Sequence, residues 1–187
     1  LYVSAENAQF DNLFGGPMIV EVIVKDPNRS MTNESAGEPT VLVDNQRLRL
    51  AQGIDGNWYG YFGDDTDVTT VESVADDNTS GLDFGTEDTA LDGVNDSLVI
   101  YSAGIYTAIP SNGGIVDNPP TLSNWNNTVT PSACTACGQL GMVASDWPFV
   151  QTFDFTQGDF DVVLEQAGTN EVVTLDHNNA DLDDYAS

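Results

Sequence analysis

The chain has 187 residues, 40% of them hydrophobic and 9% aromatic, which is enough for a folded core in one domain or two small ones. Against 30 acidic residues stand only Lys25, Arg29, Arg47 and Arg49, a formal net charge of -26 at pH 7. Four cations cannot displace counterions from a phosphate backbone, so a nucleic-acid partner and an anionic membrane surface are excluded and cations are the expected counterparts.

No apolar run approaches the roughly 20 residues a membrane span needs. Leu1 opens the chain with neither a Met nor a basic, apolar leader, so the sequence reads as a mature or excised extracellular piece. Of the acids 22 are Asp and 8 are Glu, whereas an acidic helical protein would favour Glu. Asp belongs to turns, caps and metal loops.

In chain order, Leu1-Tyr-Val-Ser4 is an edge-strand candidate, paired in this domain or continuing from an upstream one. Met18 to Lys25 is a β-branched run between Gly15-Gly16-Pro17 and Asp26-Pro27-Asn28, hence a bounded strand. Thr40 to Val43 and Gln46 to Leu50 flank Asp44-Asn45, a pair that tolerates the left-handed backbone of a tight hairpin. Arg47-Leu48-Arg49-Leu50 alternates with period two, which predicts one buried face and one wet face. Asn57 to Phe62 reads as an aromatic core strand, with Gly60 marking a bulge or a close backbone approach.

From Gly63 to Asp96 the composition turns to Asp, Thr, Ser and Gly, and Val68 to Val74 is the only plausible strand there. Ser97 to Tyr101 restores a strand. Residues 107 to 146 read as a long Pro/Gly-rich loop, of the kind that is functional, interfacial or tied down. Strands follow near Phe149 to Phe155, Phe160 to Gln166 and Glu171 to Leu175. No helix of three turns and no internal repeat is expected. The fold predicted is all-β, an immunoglobulin-like β-sandwich with long acidic and Pro/Gly-rich insertions. It forms one domain over 1–187, with the tail 176–187 leading towards a further domain.

The densest carboxylates give the candidate calcium ligands Asp64, Asp65, Asp67, Asp76, Asp77 and Asp83. A hard cation relieves crowded carboxylates with six to eight oxygens in a flexible geometry. The EF-hand pattern is missing, since Asp65-Thr66-Asp67 runs on into Thr69 and Thr70 where a ligand and a Gly are required. The alternative is a set of solvated loop charges screened by salt.

Cys134-Thr-Ala-Cys137 is a lone CxxC pair, expected to form a loop disulfide in an extracellular protein, with reduced thiols or a metal as alternatives. Asn28, Asn33, Asn78, Asn95 and Asn126 each begin an Asn-x-Ser/Thr sequon in or beside a loop. They are candidate glycosylation sites, with chance occurrence in an Asn- and Ser-rich chain as the alternative. His177, the sole histidine, is expected to be a solvated tail residue. No nucleophile elbow or phosphate loop exists, so no enzyme is expected. Asp159 and Asp161 share a strand face without implying hydrolysis. Trp58, Tyr59, Tyr61 and Phe62 read as core rather than as a carbohydrate platform.

Several blocks in one order carry a resemblance: Leu1 to Phe10, Gly16 to Val24, Leu50 to Phe62, Ser80 to Gly85, Gln151 to Asp161 and Glu171 to Leu175. Together they resemble part of the major surface-layer protein of ammonia-oxidising archaea. The resemblance implies a much longer parent chain of immunoglobulin-like domains tiled in a porous lattice over the cell. It also implies an acidic surface that binds divalent cations and draws ammonium, with no catalytic residues.

The expected function is therefore structural. The chain is a domain of an acidic surface layer, self-assembling with copies of its parent chain and helped by calcium. A second expectation is a calcium-dependent adhesion or filament subunit in which Leu1 to Ser4 completes a neighbour's sheet by strand addition.

Overall fold

A computed structural model describes residues 1–30, 37–76, 84–90, 96–102, 105–110, 113–121 and 147–178. Among the described residues the chain is mostly β with one short helix. It opens with β1 (Tyr2–Val3), a 3-10 turn (Ala8–Phe10), β2 (Leu13–Phe14) and β3 (Val20–Val24). Next come β4 (Val41–Val43), β5 (Gln46–Leu48), β6 (Ala51–Gln52) and β7 (Trp58–Asp64), then the helix α1 (Asp65–Asp76). After it run β8 (Thr86–Ala90), β9 (Asp96–Ser102), β10 (Ile105–Pro110) and β11 (Gly114–Thr121). The last strands are β12 (Phe149–Phe153), β13 (Gly158–Leu164) and β14 (Glu171–His177).

The chain divides into two compact units, Leu1–Asp64 with Asp154–Ser187, and Asp65–Phe153. In the first unit, β3 lies antiparallel to β1 and to β7, and β6 adds to β7. The second sheet of this unit runs β2-β14-β13-β4-β5, antiparallel except for the parallel pairing of β2 with β14. The candidate edge strand at Leu1 to Ser4 thus pairs with β3 of the same chain, Tyr2 opposite Ile23.

Sequence alternation explains the two faces. In β3 the valines at 20, 22 and 24 are buried while Glu21 and Ile23 are half-buried on the outer side. The sheets meet in a sandwich-like arrangement through aromatic rings: Phe62 of β7 lies 5.7 Å from Phe14 of β2 and 6.3 Å from Phe160 of β13, centroid to centroid. Full burial of Phe14, Trp58 and Phe62 stabilises the unit by about 1.5–3 kcal/mol for each side chain.

The hairpin expected at Asp44-Asn45 forms. Both residues hold positive φ, 45° and 64°, which gives the two-residue turn that matches strand twist. Gly60 is where the backbone comes close, since a Cβ there would lie 2.5 Å from Leu50 Cδ2 and 3.0 Å from the Arg49 carbonyl oxygen. The four-residue aromatic run divides by alternation: Trp58 and Phe62 are core, whereas Tyr59 and Tyr61 lie half-buried on the outer face.

In the second unit β11 runs parallel to both β12 and β8, and β9 pairs with β10 as an antiparallel hairpin. Two expectations are corrected here. The loop expected over 107–146 contains β11 and the end of β10. The strand expected over Val68 to Val74 is part of the 12-residue helix α1. Val68 and Glu72, four residues apart, share one buried face of the helix, where the Glu72 carboxylate accepts from the Phe84 amide. Asp65 and Asp67 in the first turn complement the positive end of the helix dipole. The hydroxyls of Thr69 and Thr70 donate to the carbonyls of Asp65 and Thr66, each at 2.6 Å, which satisfies them within the helix. Among the described residues no helix is long and apolar enough to cross a membrane.

Candidate functional site

Charge is the most unusual property of the sequence, and the structure gathers its three arginines in one place. Glu38 lies just before β4, and its carboxylate accepts from Arg49 Nε at 3.1 Å and from Nη2 at 2.7 Å. The same carboxylate accepts from the Leu50 amide at 2.7 Å. Arg47 donates to Thr40 Oγ1 and the Pro39 carbonyl, with its Nη2 3.8 Å from Glu38. Arg29 donates through Nη1 to the carbonyls of Gly37 and Glu38 and approaches Asp26 at 3.4 Å.

Three of the four cationic side chains of the sequence therefore hold the segment 37–40. Burial lowers the pKa of the Arg47 guanidinium, an effect opposed mainly by the neighbouring Glu38 charge. The expectation of a wet arginine face is corrected: Arg49 is only 4% exposed. A planar guanidinium with a matched carboxylate can be buried where a lone charge cannot.

With the arginines turned to the segment 37–40, few cations are left for the outward carboxylates of the unit: Glu171 pairs with the Leu1 amine, and among the described residues Asp159 and Asp161 have no ion-pair partner. Asp159, Asp161, Glu165 and Glu171 are exposed on or beside β13 and β14. Asp159 stands directly opposite Asp176, and Asp161 opposite Thr174, whose hydroxyl donates to it at 2.7 Å. On the other sheet the turn before β7 carries Asp55, which accepts from Tyr59 Oη and Asn57 Nδ2, each at 2.6 Å. The Tyr59 hydrogen bond holds the Asp55 carboxyl below its ordinary value, and in return raises the phenol of Tyr59. Tyr61 Oη donates to Glu21 at 3.0 Å. Burial first, then this bond, push the Tyr61 phenol up to about 12.

The candidate calcium ligands fall in different settings. Asp64 ends β7 and is buried, with its Oδ2 3.8 Å from His177 Nε2. Asp65 and Asp67 occupy the first turn of α1, where Asp65 Oδ1 accepts from Thr152 Oγ1 at 2.6 Å, and Asp76 ends that helix. Asp77 and Asp83 lie outside the described residues, as do Cys134, Cys137, Asn33, Asn78, Asn95 and Asn126. Among the described residues no three His, Cys, Asp or Glu side chains gather as a metal-binding group.

Two features were not expected from the sequence. His177 is no solvated tail residue: it closes β14, is 3% exposed, and lies 5.4 Å from Phe14 and 5.7 Å from Phe155, ring to ring. Its Nδ1 is 3.3 Å from the Thr156 carbonyl. The signal for this was alternation, since His177 falls two residues after the buried Leu175. The other is a polar cleft of roughly 500 Å3 between the turn after β3 and the connection from β13 to β14, lined by Lys25, Asp26, Asn28, Glu165, Gln166 and Glu171 among others. No model of a known protein family matches the chain, and no curated protein matches it.

Proposed function

We propose that the chain is a structural, non-catalytic domain of an acidic cell-surface lattice, of the surface-layer kind its sequence blocks resemble. Its sandwich-like sheets would belong to an immunoglobulin-like domain within a longer extracellular chain. The observation that carries this reading is the placement of charge: Arg29, Arg47 and Arg49 are tied to the segment 37–40, while exposed carboxylates such as Asp159 and Asp161 face outward with no ion-pair partner among the described residues.

A porous sheet of such domains concentrates cations, ammonium included, and excludes anions. This field fades as salt shortens the screening length to about 10 Å or less. Calcium would neutralise carboxylates that face one another within or between copies, with the acidic residues from Asp64 to Asp83 as the first candidates.

The test is a calorimetric calcium titration of the purified protein at seawater-like ionic strength, with particle size followed in parallel. Stoichiometric heat and growth of sheets, reversed by a chelator, is the expected result. Binding no stronger than that of any monovalent salt, with unchanged particle size and melting in chelator, would remove the calcium-assisted lattice. Growth of filaments that stops when the first ten residues are deleted would favour strand addition instead.

A further inference from the structure

We propose that Asn28 carries an N-linked glycan whose first sugars lie in the polar cleft beside it, an inference that rests on the cell-surface reading. Asn28-Arg29-Ser30 is the sequon that lies within the described residues. The turn Pro27–Arg29 presents Asn28 outward: the Asn28 amide N–H donates to Asp26 Oδ1 at 2.9 Å, and the Arg29 amide donates to the Asp26 carbonyl, also at 2.9 Å.

Among the described residues the side chain of this asparagine is free, as that of Asn45 is, but Asn45 begins no sequon. Asn7 and Asn170 use their Oδ1, Asn57 its Nδ2 and Asn12 both groups in local hydrogen bonds. Among the described residues no hydrogen bond engages the Asn28 side-chain amide, and the residue is exposed. Its Nδ2 is accordingly available as the attachment atom.

What lies next to it suits a sugar. The cleft is roughly 500 Å3, inside the span of about 300–1,000 Å3 typical of small-ligand sites. Its wall offers the carboxylate acceptor of Glu165, the ammonium donor of Lys25 and the amide of Gln166, together with Glu171, which already accepts from Gln166 Nε2 at 2.9 Å and from the Leu1 amine. Sugar hydroxyls both donate and accept, so a wall of mixed acceptors and donors matches them where a uniformly acidic wall would not. Lys25 is the one cation of the sequence not directed at the segment 37–40.

Attachment would form a bond from Asn28 Nδ2 to the anomeric carbon of a glycosyl phosphate donor. The anomeric carbon–oxygen bond to phosphate breaks, the phosphate leaves with the electron pair, and Nδ2 gives up one proton to a base of the transferase.

The experiment is peptide mass spectrometry of the protein from its native host, beside Asn28→Gln, Ser30→Ala and Ser30→Thr produced in that host. Surface location is read by protease treatment of intact cells. A saccharide mass on the Asn28 peptide is expected in the wild type and in Ser30→Thr, with its loss in Ser30→Ala. Ser30→Ala also removes the hydroxyl that Ser30 donates to the Pro27 carbonyl; Asn28→Gln leaves that hydroxyl in place, so loss of the saccharide in both Asn28→Gln and Ser30→Ala but not in Ser30→Thr reports on the sequon rather than on this hydrogen bond. Slower amide hydrogen exchange over residues 165–171 in wild type than in Asn28→Gln is the expected sign of sugars in the cleft. An unmodified Asn28 in protein cleaved at the cell surface overturns the inference and leaves the surface reading standing. Modified protein that resists cleavage on intact cells overturns the surface reading alone. Equal exchange over 165–171 overturns the seating of the sugars.

Discussion

Asp159 and Asp176 face each other directly across β13 and β14, both on the outward side of the pair, while their neighbours Phe160 and Leu175 meet in the core. Register enforces this, since the buried pair fixes which residues stand opposite on the other face. Like charges in that position destabilise a sheet, by an amount of about 0.2–1 kcal/mol.

Replacing Asp176 by Asn should therefore raise unfolding free energy by about 0.2–1 kcal/mol at low ionic strength. The gain should shrink once salt reduces the screening length to about 10 Å, and should shrink again if calcium bridges the pair. Urea unfolding of both proteins at two salt concentrations checks it. Equal stability at low salt would remove the repulsion, and with it the argument that this face is prepared for a cation.

Glu38 should matter far more than any surface acid. It gathers Arg49 and the Leu50 amide, so Glu38→Ala leaves a buried guanidinium and a backbone N–H without their acceptor. The expected loss is about 3–5 kcal/mol, the range for removing one partner of a buried ion pair. A double variant, Glu38→Leu with Arg49→Met, should recover part of that loss because no charge is left stranded. If Glu38→Ala unfolds at the wild-type denaturant midpoint, the clamp is not structural and the claim that it sequesters the cations fails.

Most of the first unit was legible because its physics is local. The β-branched run ahead of Lys25, the Asp44-Asn45 turn and Gly60 each declare their conformation within a few residues. The helix α1 was not legible, since Thr66, Thr69, Thr70 and Val71 are poor helix formers. Its support is tertiary: Val68 is buried on one face, and Glu72 on the same face accepts from the Phe84 amide. β8 was hidden for a related reason: Thr-Glu-Asp-Thr-Ala has no apolar alternation, and its pairing is a parallel one with β11. The Glu38 clamp joins residues 11 apart across a hairpin, a distance at which charge patterning is silent. The sequon at Asn28 was readable, but the cleft beside it needs β13 and β14 to be in place.

His177 offers a direct test of the correction to its expected role. Its ring is packed among Phe14, Phe155 and the Asp64 carboxylate, so truncation leaves a void lined by aromatic side chains. His177→Ala should lower unfolding free energy by about 2–5 kcal/mol, as other large-to-small core changes do. A change of less than about 0.5 kcal/mol, normal for a surface position, would return His177 to the solvated tail that the sequence suggested.

The alkaline behaviour of the protein should report on Tyr61. Its phenol is raised to about 12 by burial and by the bond to Glu21, whereas in the unfolded chain it titrates near its ordinary value of about 10. The folded state keeps its proton where the unfolded state releases one. Its contribution to stability is therefore complete below about pH 10 and is lost as the pH rises through about 12. Phenolate absorbance of the folded wild type should show a late-titrating component that Tyr61→Phe removes. Between those two pH values the variant should also lose stability less steeply than wild type. Tyr59→Phe should act at the other end of the scale as well, because the Asp55 carboxyl loses the hydrogen bond that holds it low and should protonate at higher pH. If the wild-type and Tyr61→Phe titrations superimpose after correction for one fewer tyrosine of ordinary pKa, the outer face of β7 is solvated. The pairing of Tyr61 with Glu21 would then have no energetic consequence.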